Sequence, residues 1–249
     1  MSSMKSLESG GSVGSAERLS GRRAQARRND PRIREAAREV FTANPDAPMS
    51  AVAKRAGVGI SALYRRYANK EDLLRQVARD GLQQYLDIAE SAAADERDPW
   101  TAFADFMERL LDAQTVAITM NLAGTFAPDQ ELFAMSQRAA ELNEAIVERT
   151  KRGGGLRGDV VVDDLSLILE QVSSLRLGDA RRTRELRRRY LALFLEGLRD
   201  EAPTALPGPP PAPEELASRW APKGNGLMSP RRTRRGRPAA GSVSRARGS

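Results

Sequence analysis

The chain of 249 residues contains no cysteine and no histidine. Without thiols it can form no disulfide, no thiolate metal site and no cysteine nucleophile. Without imidazole it lacks the commonest general base and the commonest transition-metal ligand, so most hydrolase and metalloenzyme readings weaken. Carboxylate catalysis and oxygen-held Mg²⁺ remain open. No apolar run approaches a membrane span, and residues 1–20 lack the hydrophobic core of a signal peptide. These absences lead us to expect a cytoplasmic protein with no membrane partner, no metal, no cofactor and no catalytic residue. The length suffices for one large helical domain or two small ones.

Positive charge is abundant and unevenly placed. The chain carries a formal +7, distributed as +3 over residues 1–30, +4 over 31–80, −7 over 81–224 and +7 over 225–249. Such a map suits a DNA-binding head on a body that need not touch DNA, although basic tails alone are common.

Residues 1–29 are rich in Ser, Gly and Arg and have no apolar period, which predicts a disordered basic arm. Folding is expected to start at Asp30-Pro31, where Asp30 can cap a helix and Pro31 suits its first turn. Ile33, Ala36, Ala37, Val40 and Phe41 then recur at helical spacing. A short helix is predicted over 50–56, with Gly57 as the turn residue because a left-handed backbone costs it little. The next is predicted over 60–67, and Asn69 caps a fourth that opens Lys70-Glu71-Asp72.

Beyond Pro99 the spacing stays helical. Segments are marked by Trp100 to Leu111, by Leu132 to Val147, and by two final helices at about 163–177 and 181–200. Gly153-Gly154-Gly155 interrupts them. With no sustained strand-like alternation the fold class is all-α. From residue 201 the chain turns Pro-rich and then Arg/Gly/Ser-rich, predicting a disordered tail apart from a short turn around Glu214–Trp220. The expected division is a basic arm at 1–29, a helix-turn-helix domain at 30–80, a helical effector-binding and dimerisation domain at 81–200, and a tail at 201–249.

The stretch Ala56-Gly57-Val58-Gly59-Ile60-Ser61-Ala62-Leu63-Tyr64-Arg65-Arg66-Tyr67 carries the most information. A short helix, a glycine turn and an aromatic-basic helix make a helix-turn-helix, whose second helix enters the DNA major groove. By spacing alone, Arg65-Arg66 could equally be a solvated helix face. Together with Val52-Ala53-Lys54-Arg55 before it and Asn69-Lys70-Glu71-Asp72-Leu73-Leu74 after it, the stretch resembles the TetR family of bacterial transcriptional regulators. The likeness covers about residues 31–80 well. Over 81–200 it is general, helped by a Gly155-Leu156-Arg157-Gly158-Asp159 turn.

The resemblance implies that Val52, Ala53, Ala56, Val58 and Leu63 are core. It implies base or sugar contact for Ile60, Ser61, Ala62 and Arg65, and phosphate contact for Tyr64 and Lys70. Ser50, Gly59 and Arg66 complete the expected DNA-binding set. A helix N-terminus is itself an anion site, which gives Lys70 an independent warrant. The chain departs from the family pattern at Gly59 (often Ser), Ser61-Ala62 (Gly-Thr), Arg66 (His) and Tyr67 (Phe). Ile60 and Ala62 offer only apolar contact, so base reading leans on Ser61 and the two arginines. Which arginine reads stays open.

The resemblance further implies an unknown small-molecule effector and a homodimer, with a repressor the expected form. Candidate pocket residues are Trp100, Phe103, Phe106, Met107, Met120, Phe126, Phe133, Met135 and Gln171. Candidate dimer residues are Leu165, Ile168, Val172, Leu186, Tyr190, Leu193 and Phe194. Arg235-Gly236-Arg237-Pro238 matches a minor-groove hook core, or is simply part of a nonspecific basic tail. The alternative function is a nucleoid-type protein that binds DNA without sequence preference through its tails.

Overall fold

The computed structural model describes residues 30–115, 122, 124–200 and 204–217. The expectations for the basic arm, Met120, the tail beyond residue 217 with Trp220, and the Arg235–Pro238 hook lie outside them. Among the described residues the regular structure is helical, with an isolated bridge between Leu156 and Arg199 and no named strand. Helix α1 covers residues 30–43. It is followed by α2 (Met49–Ala56), α3 (Ile60–Arg66), α4 (Lys70–Ala93) and α5 (Pro99–Ala113). Then come α6 (Gln130–Arg152), α7 (Val162–Ser174), α8 (Ala180–Gly197) and a short α9 (Pro213–Ala217).

Side-chain caps set four of these starts. Asn69 accepts from the Asp72 N–H at 2.8 Å, Asp98 from Thr101 at 3.0 Å, Asp129 from Leu132 at 2.9 Å and Asp179 from Arg182 at 2.7 Å. Asp164 reaches back to the Val161 N–H at 2.9 Å. Helices α7 and α8 each stop about one turn earlier than the apolar spacing suggested. The α7 cap position, Leu175, already has an extended backbone, and after α8 the chain closes onto the Leu156–Arg199 bridge. In the turn before that bridge, a side chain on Gly155 would come within 2.8 Å of the Trp100 Cβ, so glycine is what lets the turn lie against α5.

Two apolar cores form. The head core joins Ile33, Ala37, Phe41, Val52, Leu63, Leu73 and Val77, together with Leu122, Phe126 and Leu132 from further along the chain. The body core gathers Leu86, Phe103, Phe106, Met107, Leu110, Ile146, Leu169, Leu191 and Leu195. The expected boundary at 80/81 falls inside α4, which is continuous from Lys70 to Ala93. Leu82 packs against both cores.

Candidate nucleic-acid interface

The recognition unit is built by a tight turn. Gly57 sits at φ 66°, ψ 37°, and the Val58 N–H returns to the Ala53 carbonyl at 3.0 Å, closing α2 and launching α3. Gly59 precedes α3 with an extended backbone and has no side chain to cap it, but its carbonyl accepts from Ala62 at 2.9 Å and Leu63 at 3.2 Å. Leu63 is fully buried and pins the inner face.

The opposite face is open. Ile60 is 40% and Tyr64 51% exposed, Ser61 and Arg65 are exposed, and Ala62 is half-buried. Ser50, at the start of α2, is exposed as well. Lys70 is half-buried, its ammonium 5.5 Å from the centre of the Phe41 ring, in the first position of α4. Ser50, Gly59, Ile60, Ser61, Tyr64 and Arg65 are thus solvent-facing on the helix-turn-helix, beside the α4 start.

The two arginines part company. Arg66 donates from Nε to Asp30 Oδ1 at 2.8 Å and from Nη2 to Oδ2 at 3.3 Å, while Tyr67 donates its hydroxyl to the same carboxylate at 2.9 Å. Arg34 lies 3.5 Å away from that carboxylate. The Arg66 hydrogen bond, with those of Tyr67 and the nearby charges, outweighs burial and holds the Asp30 carboxyl below its usual range. Burial and the Asp30 charge push the Tyr67 hydroxyl well up. Arg66 and Tyr67 are two of the positions at which the chain departs from the family pattern, and both are used to grip Asp30. Arg65 makes no ion pair among the described residues. The sequence marks Asp30 only as a cap, because nothing local announces a partner 36 residues away.

Helix α1 is fastened to α4 by Arg34, which donates Nη1 to both oxygens of Asp80 at 3.0 Å, with Gln76 donating to Asp80 at 2.9 Å. Arg38 reaches the Ala113 carbonyl at the end of α5, tying head to body.

Inside the body a cavity of about 310 Å³ opens between α4, α5, α6 and α7. Leu82, Tyr85, Phe106, Met107, Leu110, Asn143, Val147, Asp163 and Leu165 are among its walls. Tyr85 donates its hydroxyl to Asn143 Oδ1 at 2.7 Å, and burial pushes that hydroxyl up to about 12. Burial, then the neighbouring Asp164, raises the Asp163 carboxyl.

Of the sequence candidates, Met107 and Phe106 line this cavity. Met135 packs against the body core. Trp100 and Phe103 are buried in the body core without lining it, and Phe126 is in the head core. Phe133 is 59% exposed, and Gln171 is exposed on α7. Tyr85 and Asn143 escape sequence reasoning. Tyr85 reads only as an apolar position of α4, and Asn143 has no sequence signal.

The dimer candidates also divide. Leu165, Val172 and Leu186 are buried within the single chain and Ile168 is half-buried, whereas Tyr190, Leu193 and Phe194 are 44%, 58% and 41% exposed.

A helical head presenting an open recognition helix, joined by one long helix to a hollow helical body, defines a helix-turn-helix transcriptional regulator. Residues 33–77 match the profile of bacterial regulatory proteins of the tetR family. Residues 98–200 match the C-terminal domain of SbtR-like transcriptional regulators. The chain belongs to the TetR family and is a DNA-binding transcriptional regulator.

Solved structures share the fold. The TetR family regulator PfmR from Thermus thermophilus is 24% identical over 68% of this chain and 96% of its own, with a TM-score of 0.51. The ketosteroid regulator KstR2 of Mycobacterium tuberculosis is 18% identical over 70% and 96%, with a TM-score of 0.54. The TetR-like regulator LfrR from Mycobacterium smegmatis, in complex with proflavine, is 23% identical over 72% and 99%, with a TM-score of 0.52. Comparison with curated protein sequences gave no match.

Proposed function

We propose that the protein is a homodimeric repressor that reads a two-fold operator with α3 and is retuned by a small molecule held in the 310 Å³ body cavity. The observation that carries this reading is the open face of α3, where Tyr64 and Arg65 stand free beside a buried Leu63. With Arg66 committed to Asp30, Arg65 is the guanidinium left to read a base edge, and in this reading Tyr64 and Lys70 hold phosphates. One short helix reads few base pairs, so pairing through the exposed Tyr190, Leu193 and Phe194 face of α8 doubles the site. The cavity suits a mainly apolar ligand with a polar group directed at Asn143 or Asp163. Acting on operator DNA puts the protein in the cytoplasm. No helix among the described residues is long and apolar enough to cross a membrane.

The test is selection of binding sites from a random duplex library with full-length protein at near-physiological salt. An enriched palindrome is the expected result. Tight binding without enrichment would overturn operator reading in favour of tail-driven, nonspecific binding. On the selected site, Arg65→Ala is expected to weaken binding by about 10- to 100-fold per half-site, the worth of one bidentate arginine–guanine contact. The loss should concentrate on one base position per half-site. A uniform loss across sequences, read by competition titration, would move Arg65 from base to phosphate contact.

A further inference from the structure

A second opening of about 560 Å³ lies at the seam where α1 of the head meets the end of α5 and the α7–α8 turn of the body. Arg38, Arg176, Arg184 and Arg187 all reach it. Arg187 is the anomaly. It is 5% exposed, a degree of burial at which a guanidinium ordinarily has a carboxylate. Its Nε and Nη2 both donate to the Leu175 carbonyl, at 3.2 and 3.1 Å, and its Nη1 has no acceptor among the described residues.

Its neighbours do not relieve the charge. Arg176 donates only to the carbonyls of Ser173 and Leu175, and Arg184 makes no ion pair among the described residues. Three carboxylates also line the opening, yet Glu39 is engaged by Arg55 and Asp179 caps α8 through the Arg182 N–H. Glu35, 63% exposed, stands 4.0 Å from Arg38. Burial, and after it the Arg176 charge, lower the Arg187 pKa, as expected where negative charge is short. The first turn of α8, which adds its dipole, lines the same space.

We propose that this seam is an anion site, distinct from the apolar cavity, that holds the phosphate or carboxylate group of a small ligand between Arg184, Arg187 and Arg176. A planar guanidinium fork with an unused N–H matches an oxyanion, and the bound anion supplies the counter-charge that Arg187 lacks. Arg38, on the head, lines the same opening, so an anion held by the three body arginines lies against the head–body seam and gives the regulator an input independent of the apolar pocket.

The test is the thermal unfolding midpoint of the full-length protein in pyrophosphate, against chloride at matched ionic strength. About 10 mM pyrophosphate is expected to raise the midpoint by about 3–6 °C if the site binds at millimolar level. Because the tails and α3 are also basic, variants locate the effect. Arg187→Met and the exposed Arg184→Gln should each lose at least half of that rise, while Arg65→Gln keeps it. An equal rise in all four proteins, or none in the wild type, overturns the proposal. If Arg184→Gln instead weakens operator binding at matched salt with no small anion present, the site takes DNA phosphate and the small-ligand assignment falls.

Discussion

Glutamate at both Leu193 and Phe194 is expected to convert the proposed homodimer to a monomer. Operator affinity should then fall about a thousandfold, within the 10²–10⁴ that joining two binding modules confers. Both side chains are more than 40% exposed on one face of α8, together with Tyr190. The inward face of the same helix supplies Leu191 and Leu195 to the body core, so the substitutions leave the fold untouched. Two carboxylates facing their own copies across a two-fold axis would be buried without partners, which no apolar gain offsets. Sedimentation velocity and far-ultraviolet dichroism check this together. A double variant that sediments like the wild type would show that this face is not the interface. Leu186→Glu is the useful contrast: Leu186 is buried within the single chain, and its replacement should unfold the body instead.

Asp30→Ala is the second change with a large expected effect. It leaves the Tyr67 hydroxyl without its acceptor in a residue that is 7% exposed, and it releases Arg66. Losing one charge-assisted hydrogen bond and orphaning a buried hydroxyl costs about 2–3 kcal/mol, or about 4–12 °C in melting midpoint for a chain of this size. Operator affinity should drop as well, because the last turn of α3 loses its tie to α1. The effect is pH-dependent with a definite sign. Asp30 is held below its usual range in the folded state, so its contribution is full above the unfolded-state value of about 4. It is lost as the pH falls through the lower folded value. Wild type and variant should therefore differ most near neutrality and converge in acid. A constant gap between their melting curves from pH 7 down to pH 3 would rule out the carboxylate as the source.

Much of the head was legible in the residues because its signals are local. Gly57 is a turn residue wherever a left-handed backbone is needed, and Asn69 caps α4 through its own next turn. The division of labour between Arg65 and Arg66 was not legible, since it is decided by Asp30 on another helix. Apolar periodicity had the same weakness in the body. It marks a face, not the neighbour that covers it. Phe126 and Phe133 carry the same kind of side chain, yet one is packed in the head core and the other faces water. On α8, Leu186 turns inward and Leu193 outward although both lie on a wide apolar stripe, because the helix has one face for its own core and one left over.

Helix α4 spans 24 residues without a break, with Lys70 at one end and the body core at the other. At 1.5 Å per residue it is a rod about 36 Å long, and Leu82 and Tyr85 meet the cavity about 18–22 Å from its tip. A rod of that length gears motion up: a tilt of about 5° at its far end displaces the tip by about 3 Å, close to the rise of one base pair. The Arg34–Asp80 clasp means that α1 travels with the shaft instead of sliding past it. A shift too small to disturb the packing of the body can therefore carry a reading head one base-pair step out of register.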